Sequence, residues 1–313
     1  MTATEIFPHI DATTQDCITE GQAQFFRENG LLLIRNVLRG EELRRMQDDT
    51  LPLVQRANGG IGKSEKPLDT AYRKHELTGE ETPFRVEFVV DKTSAGKALA
   101  GHPFILRSVE KIQGRNFIPT WDSMVFKNEG MGVAITWHRD AGQSNGATEV
   151  PLFNVDFYLD TSDLSNCLWG IPGSNNWSDA DAAAKIKKLT DAPGTFSTDD
   201  DCVPILMNPG DVIFHNILAL HGSGPARTKL RRVIYYEYRP IEIELAHGPH
   251  KPEYIPVKQK VLQACLRDRA NAAYAKSETP YVYQPDAKYA PPPLGTDEKL
   301  PTYRVDHGPY WRG

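Results

Sequence analysis

The sequence predicts a mainly β protein, an antiparallel sandwich or barrel, with flanking α-helices. From about residue 120 onward, short apolar or alternating segments are bounded by Gly, Pro, Asn or Asp. Their close spacing favours antiparallel strands. Of the 313 residues, 40% are hydrophobic and 25% are charged, as in ordinary globular proteins. The predicted strands are Trp121–Lys127, Gly132–His138, Phe153–Leu159, Leu168–Ile171, Val203–Met207, Asp211–Asn216 and Arg232–Arg239.

Helical patterns flank these strands. One buried strand, Leu31–Arg35, separates the first two helices, and residues 58–83 form a predicted polar loop. We expect a single domain, with a helical part at 1–118, a β core at 119–240, and a helix and extended arm at 241–313. That arm either packs on the body or acts as a lid. The predicted helices are Thr13–Asn29, Gly40–Ala57, Pro103–Gly114, Asp179–Lys188 and a helix from after Pro252 to about Ala275.

Charge and cysteine use exclude several classes of protein. The net charge of -5 does not suit binding to a phosphate backbone, so we expect no nucleic-acid partner. No apolar run approaches the roughly 18 to 20 residues of a membrane span, and no secretory signal opens the chain. The four cysteines are scattered, which suits a reducing cytoplasm. The assembly state is left open, with a homodimer as one option. The cysteines are Cys17, Cys167, Cys202 and Cys265.

A His-x-Asp pair occurs at the end of one predicted strand. His138 and Asp140 follow the segment GVAIT and precede a glycine-bearing turn, so both side chains can face one point. A second match, His9 with Asp11, lies in a polar N-terminal segment and is expected to be solvated. Two imidazoles and one carboxylate on one face of a ferrous ion leave three positions open, as oxygenase chemistry requires.

The second imidazole must come from a later strand, and two histidines compete for this role. His215 lies inside the predicted strand DVIFHN, whereas His221 faces a loop before Gly-Ser-Gly-Pro. Arg232 follows eleven positions after His221, and its guanidinium would hold the distal carboxylate of 2-oxoglutarate. We therefore prefer His221 as the metal ligand and keep His215 as the alternative.

At these residues the chain resembles the phytanoyl-CoA dioxygenase family of iron(II)- and 2-oxoglutarate-dependent oxygenases. The segment MVFKNEGMGVAITWHRDAG is similar to the family's strand that ends in the metal-binding His-x-Asp. The segment NPGDVIFHNILALHGSGPARTKLRRVIYYEY is similar to the part that holds the second metal histidine and the 2-oxoglutarate arginine. Looser matches, FRENGLLLIRNVLRGEELRRM and FNVDFYLDTSDLSNCLWGIPGSN, extend the resemblance over about residues 20–240. The chain departs from the family at Asn166 and Asn175, where relatives often have Gly and His.

The resemblance implies a double-stranded β-helix core, a distorted jelly roll, packed by N-terminal helices. It implies that His138, Asp140 and His221 bind Fe(II) and that Arg232 binds 2-oxoglutarate. Lys127 is carried over as a further 2-oxoglutarate contact, and Ser223 or Thr228 would assist Arg232. The expected reaction uses O2 and oxidises a C–H bond with release of succinate and CO2. Hydroxylation is the preferred outcome, with desaturation and ring formation as alternatives.

Four residues near the metal pair or on later strands are candidates for substrate contact: Trp137, Arg139, Trp169 and Tyr236. Arg85 and Glu87, in the strand-like segment FRVEFVV, could also reach the cavity. An acyl-CoA substrate would favour a separate basic patch, but the dense patch at 227–232 is partly assigned to 2-oxoglutarate. We therefore expect a small metabolite or natural-product intermediate as the substrate.

Two other classes of protein compete with the oxygenase. One is a cupin-like metalloprotein, an isomerase or hydrolase, which would need a fourth protein ligand or a base near the metal. His215 is the evident candidate for that role. The other is a binding module that has lost catalysis, and the intact set of metal ligands speaks against it.

Overall fold

The fold consists of two antiparallel sheets that enclose a cavity, with helices over the outer face of the larger sheet. The computed structural model describes residues 6–64, 69–76, 78–142, 149–191, 196–227, 229–296 and 298. The strands are β1 Leu31–Ile34, β2 Thr70–Lys74, β3 Glu81–Glu87, β4 Phe117–Lys127, β5 Ile135–His138, β6 Phe153–Tyr158, β7 Leu168–Gly170, β8 Val203–Ile205, β9 Val212–Asn216, β10 His221–Ser223 and β11 Arg231–Pro240.

The larger sheet has seven strands in the order β1-β9-β6-β11-β4-β3-β2, and the smaller sheet has the order β5-β10-β7-β8. Neighbouring strands in both sheets are antiparallel. Strand order departs widely from chain order, as in a jelly roll. The mainly β class and the double-stranded β-helix core are therefore confirmed.

Eight α-helices occur in the described residues, and most of them lie before or after the β core. No described helix combines the length and apolar character that crossing a bilayer would need. Short 3₁₀ turns follow at Ser174–Asn176, Ala273–Ala275 and Ala287–Tyr289. The α-helices are α1 Glu20–Asn29, α2 Gly40–Asn58, α3 Val89–Lys92, α4 Ser94–Ala100, α5 Pro103–Gln113, α6 Asp179–Thr190, α7 Ile241–His247 and α8 Tyr254–Asn271.

Side-chain alternation on β11 separates the hydrophobic core from the cavity. Ile234, Tyr236 and Tyr238 are fully buried in the core cluster, which the N-terminal helices share through residues such as Phe26 and Leu99. The intervening residues, among them Arg231, Tyr235, Glu237 and Arg239, line the cavity instead. Successive strand residues point to opposite faces, so one face of this sheet is apolar and the other presents the polar side chains that line the cavity.

Two local predictions were wrong. Helix α1 begins at Glu20 rather than Thr13, because Thr19 and Gln22 form a capping box that fixes its start. Residues 58–83, predicted as a loop, contain β2 and the beginning of β3, which pair as a hairpin at the edge of the larger sheet. This hairpin lacks a strong alternating pattern, and its pairing with β4 stabilises it through tertiary contacts.

Candidate active site

The predicted metal ligands converge at one point between the sheets. One ligand atom from each of His138, Asp140 and His221 lies within 4.8 Å of the other two. The Asp140 Oδ1 atom is 3.4 Å from His138 Nε2 and 3.8 Å from His221 Nε2. His221 lies in the short strand β10 rather than in a loop. It is the direct partner of His138 in the neighbouring strand β5. The antiparallel register therefore places the two imidazoles side by side.

Backbone hydrogen bonds set the tautomers of both imidazoles. His138 Nδ1 donates to the Thr136 carbonyl at 2.8 Å, and His221 Nδ1 donates to the Ala219 carbonyl at 3.0 Å. With Nδ1 donating in each ring, the Nε2 atoms are the ones that face Asp140. Burial and the neighbouring His138 lower the pKa of His221 to about 3, so its ring is neutral at neutral pH. Neutral imidazole is the form that coordinates a metal.

The Asp140 carboxylate is held from behind. Its Oδ2 atom accepts from His215 Nε2 at 3.0 Å and from Asn154 Nδ2 at 3.0 Å, while its backbone N–H donates to the Ile217 carbonyl at 2.9 Å. Burial opposes ionisation, but His221, His138 and His215 outweigh it and hold the pKa of Asp140 well below its usual range. The site thus offers two imidazoles and one carboxylate, a donor set that fits non-haem Fe(II).

His215 supports this centre rather than joining the ligand triad. Its Nδ1 atom faces Asp156 Oδ2 at 2.5 Å, and its Nε2 atom faces Asp140. Both ring nitrogens are therefore engaged. Burial alone would lower the pKa of His215, but the two carboxylates raise it to about 10. A ring that donates from both nitrogens has no lone pair for a metal, so the geometry favours His221 over His215 as the distal ligand.

A cavity of about 380 Å³ opens beside the triad. At one end lie Arg231 and Ser223, whose Nε and Oγ atoms are buried without a hydrogen-bond partner among the described residues. Unpaired buried donors of this kind are costly unless a ligand satisfies them. A guanidinium and a hydroxyl together suit a carboxylate, which fits the distal end of 2-oxoglutarate. Arg231 also donates to the Asn166 carbonyl at 2.6 Å.

The prediction that Arg232 faces this cavity was wrong. Arg232 lies on the opposite face of β11, where it forms two 2.8 Å hydrogen bonds to the Asp160 carboxylate and bonds to Gln47 and Thr50 of α2. Adjacent strand residues point to opposite faces, so a shift of one position moves the cavity arginine to Arg231. Arg232 is a structural residue that ties helix α2 to the sheet.

The other predicted 2-oxoglutarate contacts differ in position. Ser223 lines the same cavity as Arg231, and its contact with 2-oxoglutarate stays a prediction. Lys127 pairs with Arg231 across the sheet, and its buried Nζ donates to the carbonyls of Val133 at 2.6 Å and Gly224 at 2.7 Å. Burial, together with the charge of Arg231, holds the pKa of Lys127 well below its usual value. Thr228 lies outside the residues that the structure describes.

None of the four predicted substrate contacts lines the cavity, so these predictions were wrong. Trp137 stacks on Phe196 at 5.6 Å and donates to the Ser197 carbonyl. Trp169 packs against the same apolar cluster. The guanidinium of Arg139 points outward to Asp179 and to the carbonyls of Ser174 and Trp177. Trp137 and Arg139 flank His138 in sequence, and the pleat turns their side chains to the opposite side.

Tyr236 also faces away from the cavity, and its hydroxyl donates to the Gly96 carbonyl at 2.7 Å. We expect Tyr236→Phe to lower the free energy of unfolding by about 1–3 kcal/mol, because a buried carbonyl loses its partner. Thermal unfolding should register this loss, while the KM for 2-oxoglutarate stays at the wild-type value. A changed KM with unchanged stability would contradict the assignment of Tyr236 to the core.

Most of the cavity wall beyond the three proposed metal ligands was not predicted from the sequence. Arg85 does line it, but Trp121, Asn154, Glu237 and Arg239 were not predicted. A signal was present in β11, where the cavity residues alternate with core residues along RRVIYYEYR. The phase of this alternation is not evident from the sequence, because aromatic residues occupy both faces.

Comparison with known proteins supports the family resemblance seen in the sequence. The model of the phytanoyl-CoA dioxygenase (PhyH) family matches residues 26–234, more than half of the chain. The curated protein Dioxygenase cdmD of Talaromyces verruculosus is 23% identical over 217 residues, which cover 64% of this chain and 67% of that protein.

Several solved structures share the fold. EvdMO1 superposes with a TM-score of 0.56 at 24% identity over 70% of this chain, and this chain spans about half, 49%, of EvdMO1. AviO1 from Streptomyces viridochromogenes Tue57 gives a TM-score of 0.52 at 24% identity, covering 70% of this chain and 93% of AviO1. EctD from S. alaskensis, solved with bound Fe, gives 0.57 at 16% identity, covering 75% and 84% of the two chains.

The catalytic class follows from the family, which uses Fe(II), 2-oxoglutarate and O2, and the double-stranded β-helix of the solved neighbours agrees with it. The protein is an oxidoreductase of the dioxygenase class, and neither a cupin-like isomerase nor an inactive binding module is favoured. Because the family model covers more than half of its length, this chain belongs to the phytanoyl-CoA dioxygenase family of iron(II)- and 2-oxoglutarate-dependent dioxygenases.

Proposed function

We propose that the protein hydroxylates a C–H bond of a small, polar metabolite or natural-product intermediate, with His138, Asp140 and His221 as the iron ligands. The observation that carries this proposal is one cavity that contains the ligand triad and ends at the unpaired Arg231 and Ser223. When bound, Fe(II) with 2-oxoglutarate and O2 supplies the oxidising power, and 2-oxoglutarate leaves as succinate and CO2.

Arg231 and Ser223 would orient 2-oxoglutarate by its distal carboxylate, which places its other end toward the triad. Lys127 stays a prediction as a co-substrate contact, because its ammonium group already donates to two carbonyls. Burial of this end of the cavity excludes water and strengthens the charge-assisted bonds. We also propose that the chain is one oxygenase domain, since strands from residues 31 to 240 share a single sheet.

The size and lining of the cavity support a small, polar substrate. A volume of about 380 Å³ lies near the lower end of small-molecule pockets, roughly 300–1000 Å³, and 2-oxoglutarate takes part of it. The lining combines charged side chains, Arg85, Glu237 and Arg239, with apolar ones such as Phe84, Val125 and Ile135. The charged side chains favour a substrate that carries polar groups. Two solved neighbours, SnoK and SnoN, are a carbocyclase and an epimerase from nogalamycin biosynthesis, which supports a natural-product intermediate.

A screen of small polar metabolites tests the proposed outcome. Fe(II), 2-oxoglutarate and isotopically labelled dioxygen are supplied, and succinate release is followed together with product mass. We expect one labelled oxygen atom in succinate and one in the product for each turnover. A product that has lost two hydrogens without gaining oxygen would contradict hydroxylation and favour desaturation or ring closure, with the dioxygenase class unchanged.

The proposal also covers the cellular compartment and the oligomeric state of the protein. All four cysteines are unpaired in the structure, and three are buried, which supports a reducing cytoplasm. The homodimer stays a prediction, which sedimentation at two protein concentrations tests.

A further inference from the structure

A buried polar chain runs from Asp156 through His215 to the rear oxygen of Asp140. His215 is 1% exposed and Asp156 is fully buried. The Asp156 Oδ2 to His215 Nδ1 distance is 2.5 Å, and the His215 Nε2 to Asp140 Oδ2 distance is 3.0 Å. Asn154 adds a second donor to Asp140 Oδ2 at 3.0 Å. The chain ends at the carboxylate that faces both metal-site imidazoles.

We propose that Asp156, His215 and Asn154 are positioning residues that saturate Asp140 Oδ2 and leave Oδ1 as the single oxygen offered to the metal. This inference rests on the metal role proposed above for Asp140. A free carboxylate can bind a cation through one or both oxygens. A second oxygen on iron would occupy a position that 2-oxoglutarate or O2 needs, so a one-oxygen ligand preserves the open face.

The geometry supports a positioning role in two ways. Oδ1, which accepts none of these hydrogen bonds, is the oxygen 3.4 Å and 3.8 Å from the two Nε2 atoms. His215 also lies between two carboxylates and faces one oxygen of each. Asp156 therefore fixes the orientation of the His215 ring, and the ring in turn holds Asp140 Oδ2.

A purely structural role explains the network less well. Asn154 and His215 are direct partners in the ladder between β6 and β9, and Asp156 pairs with Ile213 in the same ladder. Backbone hydrogen bonds already join these strands. A buried ionic group is rarely worth its desolvation as a simple tie, whereas groups that orient metal ligands are a common use of such networks.

The test compares His215→Ala and His215→Gln by anaerobic titration with Co(II), whose visible absorption reports coordination number. We expect His215→Ala to weaken Co(II) binding by about 10- to 100-fold and to change the absorption envelope, because Asp140 can then turn. His215→Gln keeps a donor near Oδ2 and should recover much of the affinity. Asp156→Asn, which is nearly isosteric, is expected to fall between wild type and His215→Ala.

His250→Ala is the matched control, because it removes another buried histidine that pairs with a carboxylate, Glu244, at 2.8 Å. It should lower the melting temperature without changing Co(II) affinity. The inference is overturned if His215→Ala and Asp156→Asn bind Co(II) as wild type does, with only the loss of stability seen in the control. If His215→Ala does not fold, Asp156→Asn decides. Equal Co(II) binding by wild type and Asp140→Ala would instead refute the metal role of Asp140.

Discussion

Replacing Asp140 by alanine is expected to abolish succinate production and to remove tight iron binding. Asp140 supplies the single carboxylate of the triad, and its Oδ1 atom is the point on which both Nε2 atoms converge. Without it, His138 and His221 offer a divalent cation no negatively charged ligand, because the Asp156 carboxylate faces His215 instead. The side chain is 31% exposed, so the fold should survive the loss. Succinate release and iron content of the purified protein measure the effect.

His221→Ala should have the same effect as Asp140→Ala, whereas His215→Ala should retain weakened iron binding. This comparison decides between the two histidines that the sequence left in competition. His247→Ala serves as the control, because His247 is exposed and outside the cavity. Turnover in the Asp140→Ala or His221→Ala variant at the wild-type rate would refute the triad.

The convergence of the three proposed metal ligands could be predicted from the sequence because its signals are local and chemical. A His-x-Asp pair at a strand end and a later histidine before a glycine-rich turn suffice to name His138, Asp140 and His221. The register between β5 and β10 could not be predicted from the sequence, although this register places the two imidazoles side by side. Register depends on long-range pairing, which short segments of three or four residues specify weakly.

Several of the wrong predictions have one physical cause, the alternation of side chains along a strand. Trp137 and Arg139 were chosen because they flank His138 in sequence, Tyr236 because it lies on a later strand, and Arg232 because it opens that strand. On a strand, a residue next to an inward-facing one points outward. The choice between Arg231 and Arg232 depends on the phase of a two-residue alternation, and two consecutive arginines conceal that phase. The support of Asp140 by His215 could not be predicted for another reason, since the two residues lie 75 positions apart along the chain.

Arg231 and Arg232 form a matched pair that tests this phase directly. Arg231→Ala should weaken 2-oxoglutarate binding by about 2–5 kcal/mol, roughly 30- to 5000-fold in affinity, because one partner of a buried charge pair is lost. Its stability should change little, since Arg231 donates to one carbonyl and pairs with no carboxylate among the described residues. The KM for 2-oxoglutarate and the melting temperature are measured together. Arg231→Lys keeps the positive charge but lacks the planar guanidinium, so its KM for 2-oxoglutarate should lie between those of the wild type and Arg231→Ala.

Arg232→Ala should give the reverse result. It removes the two guanidinium bonds to Asp160 and the bonds to α2, and it leaves the Asp160 carboxylate with the backbone N–H of residue 232 but without a positively charged partner. We expect a loss of about 3 kcal/mol in the free energy of unfolding, at the lower end for buried pairs because Asp160 is 18% exposed. Folded Arg232→Ala protein should keep the wild-type KM for 2-oxoglutarate. The opposite outcome, a raised KM in Arg232→Ala and an unchanged KM in Arg231→Ala, would contradict this assignment. It would require 2-oxoglutarate to bind on the helix-covered face of β11, where the Arg232 guanidinium is already occupied by Asp160, Gln47 and Thr50.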